Sequence, residues 1–109
     1  MISIQFRKYD FRIAQQDDKH IIFDEVRKKN IILTPEEWVR QNFLHYLIYD
    51  LGYKKSRIAV EKEFKLNGKK KRFDILVYDE AIQPLMLIEC KSQKTPINES
   101  TAQQVIQYN

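Results

Sequence analysis

Phe73-Asp74-Ile75-Leu76-Val77-Tyr78 and, after a polar break, Leu85-Met86-Leu87-Ile88-Glu89-Cys90-Lys91 are the stretch on which the reading of this chain turns. Both halves are short runs rich in branched and aromatic residues. The break between them, Asp79-Glu80-Ala81-Ile82-Gln83-Pro84, carries the polar and proline punctuation of a turn. Successive side chains of a strand point to opposite faces, so Leu85, Leu87, Glu89 and Lys91 share one side and Met86, Ile88 and Cys90 the other. An acid and a base thus leave an apolar strand together, about 7 Å apart. Either ion left unpaired there would cost several kcal/mol, so partners are expected, and Asp74 on the neighbouring strand is the natural third member. Spacing alone leaves two readings open: a salt-bridged patch on a solvated sheet face, and a metal-dependent active site.

Working backwards, Asn67-Gly68 is the favoured dipeptide of a type I′ hairpin, so the strand ending in Tyr78 should run antiparallel to the one before it. That earlier strand alternates, with Ile58, Val60, Phe64 and Leu66 on one face and Ala59, Glu61, Glu63 and Lys65 on the other. Lys69-Lys70-Lys71-Arg72, just past the turn, sets a run of positive charge at one end of the sheet. Thr34-Pro35-Glu36-Glu37 is a helix start: threonine as N-cap, proline at the first helical position and Glu37 completing a capping box. The helix should run to about Leu51, with Gly52 as its C-terminal cap. Val39, Phe43, Leu47 and Leu51 mark its buried stripe, widened by Leu44 and Ile48. Residues 1–33 are read as an N-terminal hairpin extension, its apolar runs Phe11, Ile13 and Ile21-Ile22-Phe23 flanking a polar tip. Arg27-Lys28-Lys29 is a basic cluster, read either as solvated surface or as a phosphate contact.

Beyond Lys91, Ser92 to Pro96 reads as a loop and Asn98 to Asn109 as a helix, with Gln104 and Tyr108 on one face and Thr101 and Val105 on an adjacent stripe. The whole fits one α+β domain over 1–109, the helix followed by a three-stranded, mostly antiparallel sheet and a second helix.

Composition narrows the function. The content is 43% hydrophobic and 31% charged, that of a soluble globular protein. No apolar run approaches the roughly 20 residues that span a bilayer, and the first residues do not resemble a signal peptide, so a cytoplasmic location is expected. Cys90 is the one cysteine and falls on an apolar face, the place of a buried small hydrophobe. His20 and His45 are too few and too far apart for a zinc site. The only glycines are Gly52 and Gly68, so these residues contain no phosphate-binding glycine loop. A net charge of +4 leans towards an anionic partner.

The order helix, strand, hairpin, strand with Asp, strand with Glu-x-Lys, helix resembles the PD-(D/E)xK nuclease superfamily over about residues 34–109. More closely, Leu33 to Gln41, Arg72-Phe73-Asp74, Ile88-Glu89-Cys90-Lys91 and Gln104-x-x-x-Tyr108-Asn109 resemble the amino-terminal nuclease domain of type I restriction enzyme R subunits and its small stand-alone relatives. The resemblance implies a restriction-endonuclease-like core whose last strand is missing here, so that the sheet ends one strand short. It implies Asp74 and Glu89 as metal ligands, Lys91 as the catalytic lysine, Gln104 and Tyr108 as flanking residues, and Glu37 as an acid of the first helix near the site. The peptide carbonyl of Cys90 would be a further ligand. Oxygen donors suit Mg²⁺ or Mn²⁺. Two carboxylates about 4 Å apart repel by roughly 4 kcal/mol at an effective dielectric of 20, and a divalent cation reverses that into attraction. DNA is the implied substrate, its backbone held by Lys69, Lys70, Lys71 and Arg72, with a separate motor or specificity subunit as a further partner. The alternative is a DNA-binding or assembly module that keeps the fold without cutting.

Overall fold

Thr34 caps the helix as its sequence requires: its Oγ1 accepts from the Glu37 backbone N–H at 3.0 Å. In the computed structural model, which describes the backbone of residues 2–91 and 101–108 and the side chains of residues 6–90 except 64 and 66, α1 spans Pro35–His45. It then widens into a π turn over Tyr46–Asp50. Gly52, at φ +81°, ends it, and the Tyr53 N–H closes on the Leu47 carbonyl. Val39, Phe43, Leu44 and Leu47 are buried as expected, but Leu51 is 49% exposed. The π turn adds a residue to that turn, so Leu51 rotates off the stripe.

Three strands follow as consecutive antiparallel neighbours: β5 (Ile58–Leu66), β6 (Lys69–Tyr78) and β7 (Pro84–Lys91). Asn67 and Gly68, at φ 52° and 78°, make the left-handed pair of a type I′ turn between Leu66 and Lys69. The free edge of β7 is taken by β8 (Thr101–Tyr108), and β8 is paired in turn by β1 (Ile2–Gln5), giving the order β1-β8-β7-β6-β5. Two expectations are corrected here. Residues 101–108 form a strand rather than a helix, and the sheet does not stop one strand short. Positions four apart share a face in a helix and equally in a strand, so the Gln104 and Tyr108 spacing fits both, and the β-branched pair Val105-Ile106 tips the choice to strand. The loop expected over Ser92–Pro96, and residues 98–100 and 109 of the expected helix, lie outside the described residues.

The N-terminal hairpin forms, between β2 (Ile13–Gln16) and β3 (Lys19–Asp24), and is extended by a strand not anticipated, β4 (Lys29–Ile32), into a second antiparallel sheet ordered β2-β3-β4. The architecture is α+β. The main core lies between α1 and one face of the large sheet, joining Val39, Phe43, Leu44 and Leu47 to Ile58, Ile75, Val77, Met86, Ile88 and Cys90. Phe73, Leu76 and Leu87 cluster separately. The alternation expected of β7 is therefore observed, with Met86, Ile88 and Cys90 towards the helix and Leu87 away from it. Among the described residues, no helix is long and apolar enough to cross a membrane.

Candidate functional site

The alternation of β6 slips at one place. Ile75 and Val77 face α1, so a regular strand would turn Phe73 the same way, yet Phe73 packs with Leu76 and Leu87. The irregularity falls at Asp74. Opposite it on β5, Glu61 takes φ +54°, and the ladder passes from Val60–Ile75 to Lys62–Phe73 without pairing the two acids. A non-glycine residue in the left-handed region costs on the order of 1 kcal/mol, so surrounding contacts must hold it there.

Those contacts are a buried ion network on the helix side. Arg40 of α1 bonds Glu37 at 2.7 Å, Asp74 Oδ1 at 2.9 Å and Glu61 at 3.3 Å. Arg27, in the turn after β3, bonds Asp24 at 2.8 Å, Glu37 at 2.9 Å and Glu61 at 3.1 Å. The Gln41 amide donates to Asp24 at 2.8 Å and to Glu37 at 3.0 Å. Arg72, exposed, closes the rim on Glu61 at 2.5 Å. Burial alone would push Asp24 up, but the Arg27 backbone N–H, the Arg27 guanidinium and the Gln41 amide outweigh it and hold the carboxyl below the ordinary value of 3.8. For Arg40, burial opposes the charge, and the surrounding Glu37, Asp74 and Glu61 override it, raising its pKa.

The expected site residues distribute around this network. Asp74 Oδ2 accepts the Cys90 backbone N–H at 2.6 Å, so both of its oxygens are engaged. The β6/β7 register aligns Leu76 with Leu87 and Ile75 with Ile88. One step further along, Asp74 stands across from Glu89. Their carboxylates nevertheless find different partners. Glu89 Oε1 lies 2.8 Å from Lys71 Nζ as an ion pair, without hydrogen-bond alignment, and this buried oxygen has no hydrogen-bond partner among the described residues. Cys90 is buried, and burial followed by the Asp74 charge pushes its thiol up, so it stays neutral, as its place on the apolar face suggested. Lys91 belongs to β7, its backbone paired with Gln103. Gln104 is paired with Cys90 and Tyr108 with Met86 on β8. The side chains of Lys91, Gln104 and Tyr108 lie outside the described residues. Glu37, beyond its backbone cap contact, is a member of the buried network.

Lys69 and Lys70 are exposed as expected, while Lys71 and Arg72 are exposed but paired with acids. Arg27 is not the surface cation that its basic run suggests: its side chain is 18% exposed and salt-bridged to three carboxylates. Asp24, Arg40, Gln41 and Glu61 are not among the site residues expected from sequence. A local signal existed for some of them. Arg40 and Gln41 lie three and four residues after Glu37, on its helix face, and Arg27 lies three after Asp24.

Hard oxygen donors at Asp74, Glu89 and the Cys90 carbonyl match a divalent cation in chemistry, and Glu89 Oε1, which accepts no hydrogen bond from the described residues, is an oxygen that a cation could take in place of the Lys71 ammonium. Among the described residues, no three of His, Cys, Asp and Glu converge as a ready-made metal cage. Mg²⁺ does not require one, since it commonly binds through one or two carboxylates and retains waters. No curated protein and no solved structure matches the chain. The family model described as the type I restriction enzyme R protein N terminus matches residues 35–109. With that match running from the first residue of α1 through β8, the chain belongs to the family of type I restriction enzyme R protein N-terminal domains.

Proposed function

We propose that this domain is a divalent-metal-dependent nuclease that hydrolyses phosphodiester bonds in DNA. The observation that carries the reading is that Asp74 and Glu89 lie one step beyond the Ile75–Ile88 pair on adjoining strands, with Glu89 Oε1 buried and held among the described residues only by an ion pair to Lys71, in a chain of a restriction-enzyme family. Asp74, Glu89 and the Cys90 carbonyl would hold Mg²⁺ or Mn²⁺, which when bound supplies polarisation of a phosphoryl oxygen and stabilisation of the leaving alkoxide. The chain's own groups do the rest. Arg40 and the Cys90 N–H fix the orientation of Asp74. Lys91 orients or deprotonates the attacking water and offsets charge developing at phosphorus. Glu37 acts through Arg40 rather than on substrate, and Gln104 and Tyr108, on the strand beside β7, flank the site. Lys69, Lys70, Lys71 and Arg72 hold the DNA backbone without reading sequence. Translocation along DNA, if coupled to cleavage, falls to a motor on another subunit or segment.

The test is a cleavage assay on linear and circular DNA with Mg²⁺ and with Mn²⁺, beside the Glu89→Gln and Lys91→Ala variants. Metal-dependent cleavage lost in both variants is the expected result. A folded parent protein that cuts nothing with either metal would overturn the reading. A second reading, a DNA-binding or assembly module that does not cut, draws on the full engagement of Asp74 by Arg40 and the Cys90 N–H. It requires a salt-sensitive DNA complex that forms equally well in chelator and with Glu89→Gln, without cleavage by any form.

A further inference from the structure

The β5/β6 ladder extends well beyond the rest of the sheet. β6 pairs with β7 only from Ile75 onward, whereas its pairing with β5 continues from Lys62–Phe73 out to Leu66–Lys69. Residues 62–73 therefore form a two-stranded arm, five paired residues per strand (62–66 and 69–73) or about 17 Å long, that leaves the sheet where Glu61 and Asp74 interrupt the ladder. Its charge is divided by face. Cross-strand partners share a face, so Lys62, Lys69 and Lys71 lie with Phe73 on one side. On the other side Glu63 stands opposite Arg72, and Lys65 opposite Lys70. The first face carries only positive charge at its charged positions. It is also the face of Glu89, as the Lys71–Glu89 ion pair and the Lys71 ammonium 5.3 Å from the Phe73 ring centre show. Lys62 and Lys69 are exposed, and among the described residues neither forms a salt bridge with an acid.

We propose that the 62–73 arm is a DNA-binding β-ribbon that lies in the major groove of duplex DNA and contacts phosphates through its Lys62/Lys69/Lys71 face, leading the duplex towards Glu89. A two-stranded ribbon fits the major groove, which is about 12 Å wide. A duplex carries a charge every 1.7 Å or so, so an arm of about 17 Å faces roughly ten phosphates. The proposal deepens the nuclease reading by assigning which surface receives the substrate. It does not depend on catalysis.

The experiment measures binding of a 20-base-pair duplex in chelator across a salt series, so that cleavage plays no part. Lys62→Ala/Lys69→Ala should weaken binding about tenfold or more and reduce the salt-dependence slope by about 2, as expected for two lost phosphate contacts at about 0.9 each. Lys54→Ala/Lys65→Ala, neither of them on that face, should change the slope by less than 1. Both pairs are exposed positions, and matching circular dichroism melts establish that each variant folds. Equal slopes for the two pairs, or no change for the first, would overturn the assignment. So would equal or tighter binding to phosphatidylserine vesicles with the same lysine dependence. If arm-dependent binding holds while the parent cuts nothing with any metal, the nuclease reading fails and the arm stands. Cleavage that survives loss of Lys62 and Lys69 with unchanged affinity means the reverse.

Discussion

Asp74 and Glu89 occupy facing positions on adjoining strands, yet one is enclosed and the other nearly bare. Asp74 is fixed by the Arg40 guanidinium and by a backbone N–H, inside a network that also ties down Glu37, Glu61 and Asp24 through Arg27 and Gln41. Glu89 has one lysine, itself 51% exposed, and an oxygen with no hydrogen-bond partner among the described residues. The first acid is bound up with stability as well as chemistry. The second is free to serve a ligand. A buried charge needs several donors to offset its desolvation, and once supplied they hold it still. The two acids should therefore respond differently to the same kinds of perturbation.

The largest difference should come from removing a guanidinium. Arg40→Met removes the guanidinium that pairs Asp74 and one of the two that pair Glu37, leaving a largely buried carboxylate uncompensated, which costs about 3–5 kcal/mol. Urea denaturation reads this directly, and a loss below about 1 kcal/mol would mean that the network does not carry the fold. Next in size, Asp74→Asn removes the ion pair but keeps an amide of the same shape, and should cost about 1–3 kcal/mol. Glu89→Gln should cost less than about 1 kcal/mol while abolishing cleavage as completely. Equal stability losses in the two variants would dissolve the contrast between the acids. Metal binding supplies a reading that needs no activity: at a free Mg²⁺ concentration ten times its Kd, the protein should gain about 1.4 kcal/mol of stability, absent in Glu89→Gln.

Proton concentration acts on the enclosed side. Asp24 has its folded pKa depressed below 3.8, so the unfolded chain takes up its proton first. Its contribution is complete above about pH 3.8 and is lost as pH falls through the folded value. Urea midpoints at pH 6, 4 and 3 should fall more steeply for the parent than for Asp24→Asn, whose amide does not titrate over that range. Parallel curves would show that the donors around Asp24 do not favour its charged form.

How much of this the chain reveals depends on how local each interaction is. The Thr34-Pro35 start of α1 and the Asn67-Gly68 turn are decided by their own few residues, and both form as expected. The face assignment of β7 follows from period-2 alternation and holds for Met86, Leu87, Ile88 and Cys90. A four-residue spacing does not separate helix from strand, so β8 is not legible from Gln104 and Tyr108. Nothing local announces the π turn that takes Leu51 off the buried stripe. Arg27 was hidden for a different reason: a basic run looks the same whether its first member meets solvent or three acids from β3, α1 and β5. Arg40 to Asp74 spans 34 residues, and only the packing of α1 on the sheet brings them together.

The smallest stability effect belongs to Lys71, and it separates the two acids most finely. The Lys71–Glu89 pair is a largely exposed contact, so Lys71→Ala should cost no more than about 1 kcal/mol, including loss of the ammonium near the Phe73 ring. In about 1 M salt, where screening acts within roughly 3 Å, even that should shrink. Its effect on the metal should have the opposite sign. Lys71 Nζ stands 2.8 Å from the oxygen a cation would use, so it competes with that cation for Glu89. Removing it should tighten Mg²⁺ binding, by up to about fivefold for a competing interaction of about 1 kcal/mol, read as the Mg²⁺ concentration that gives half the thermal shift. DNA affinity should fall in the same variant through the lost phosphate contact. A variant that binds DNA more weakly and Mg²⁺ more tightly would show Lys71 shared between Glu89 and the DNA backbone; weaker binding of both would place it among the groups that build the metal site.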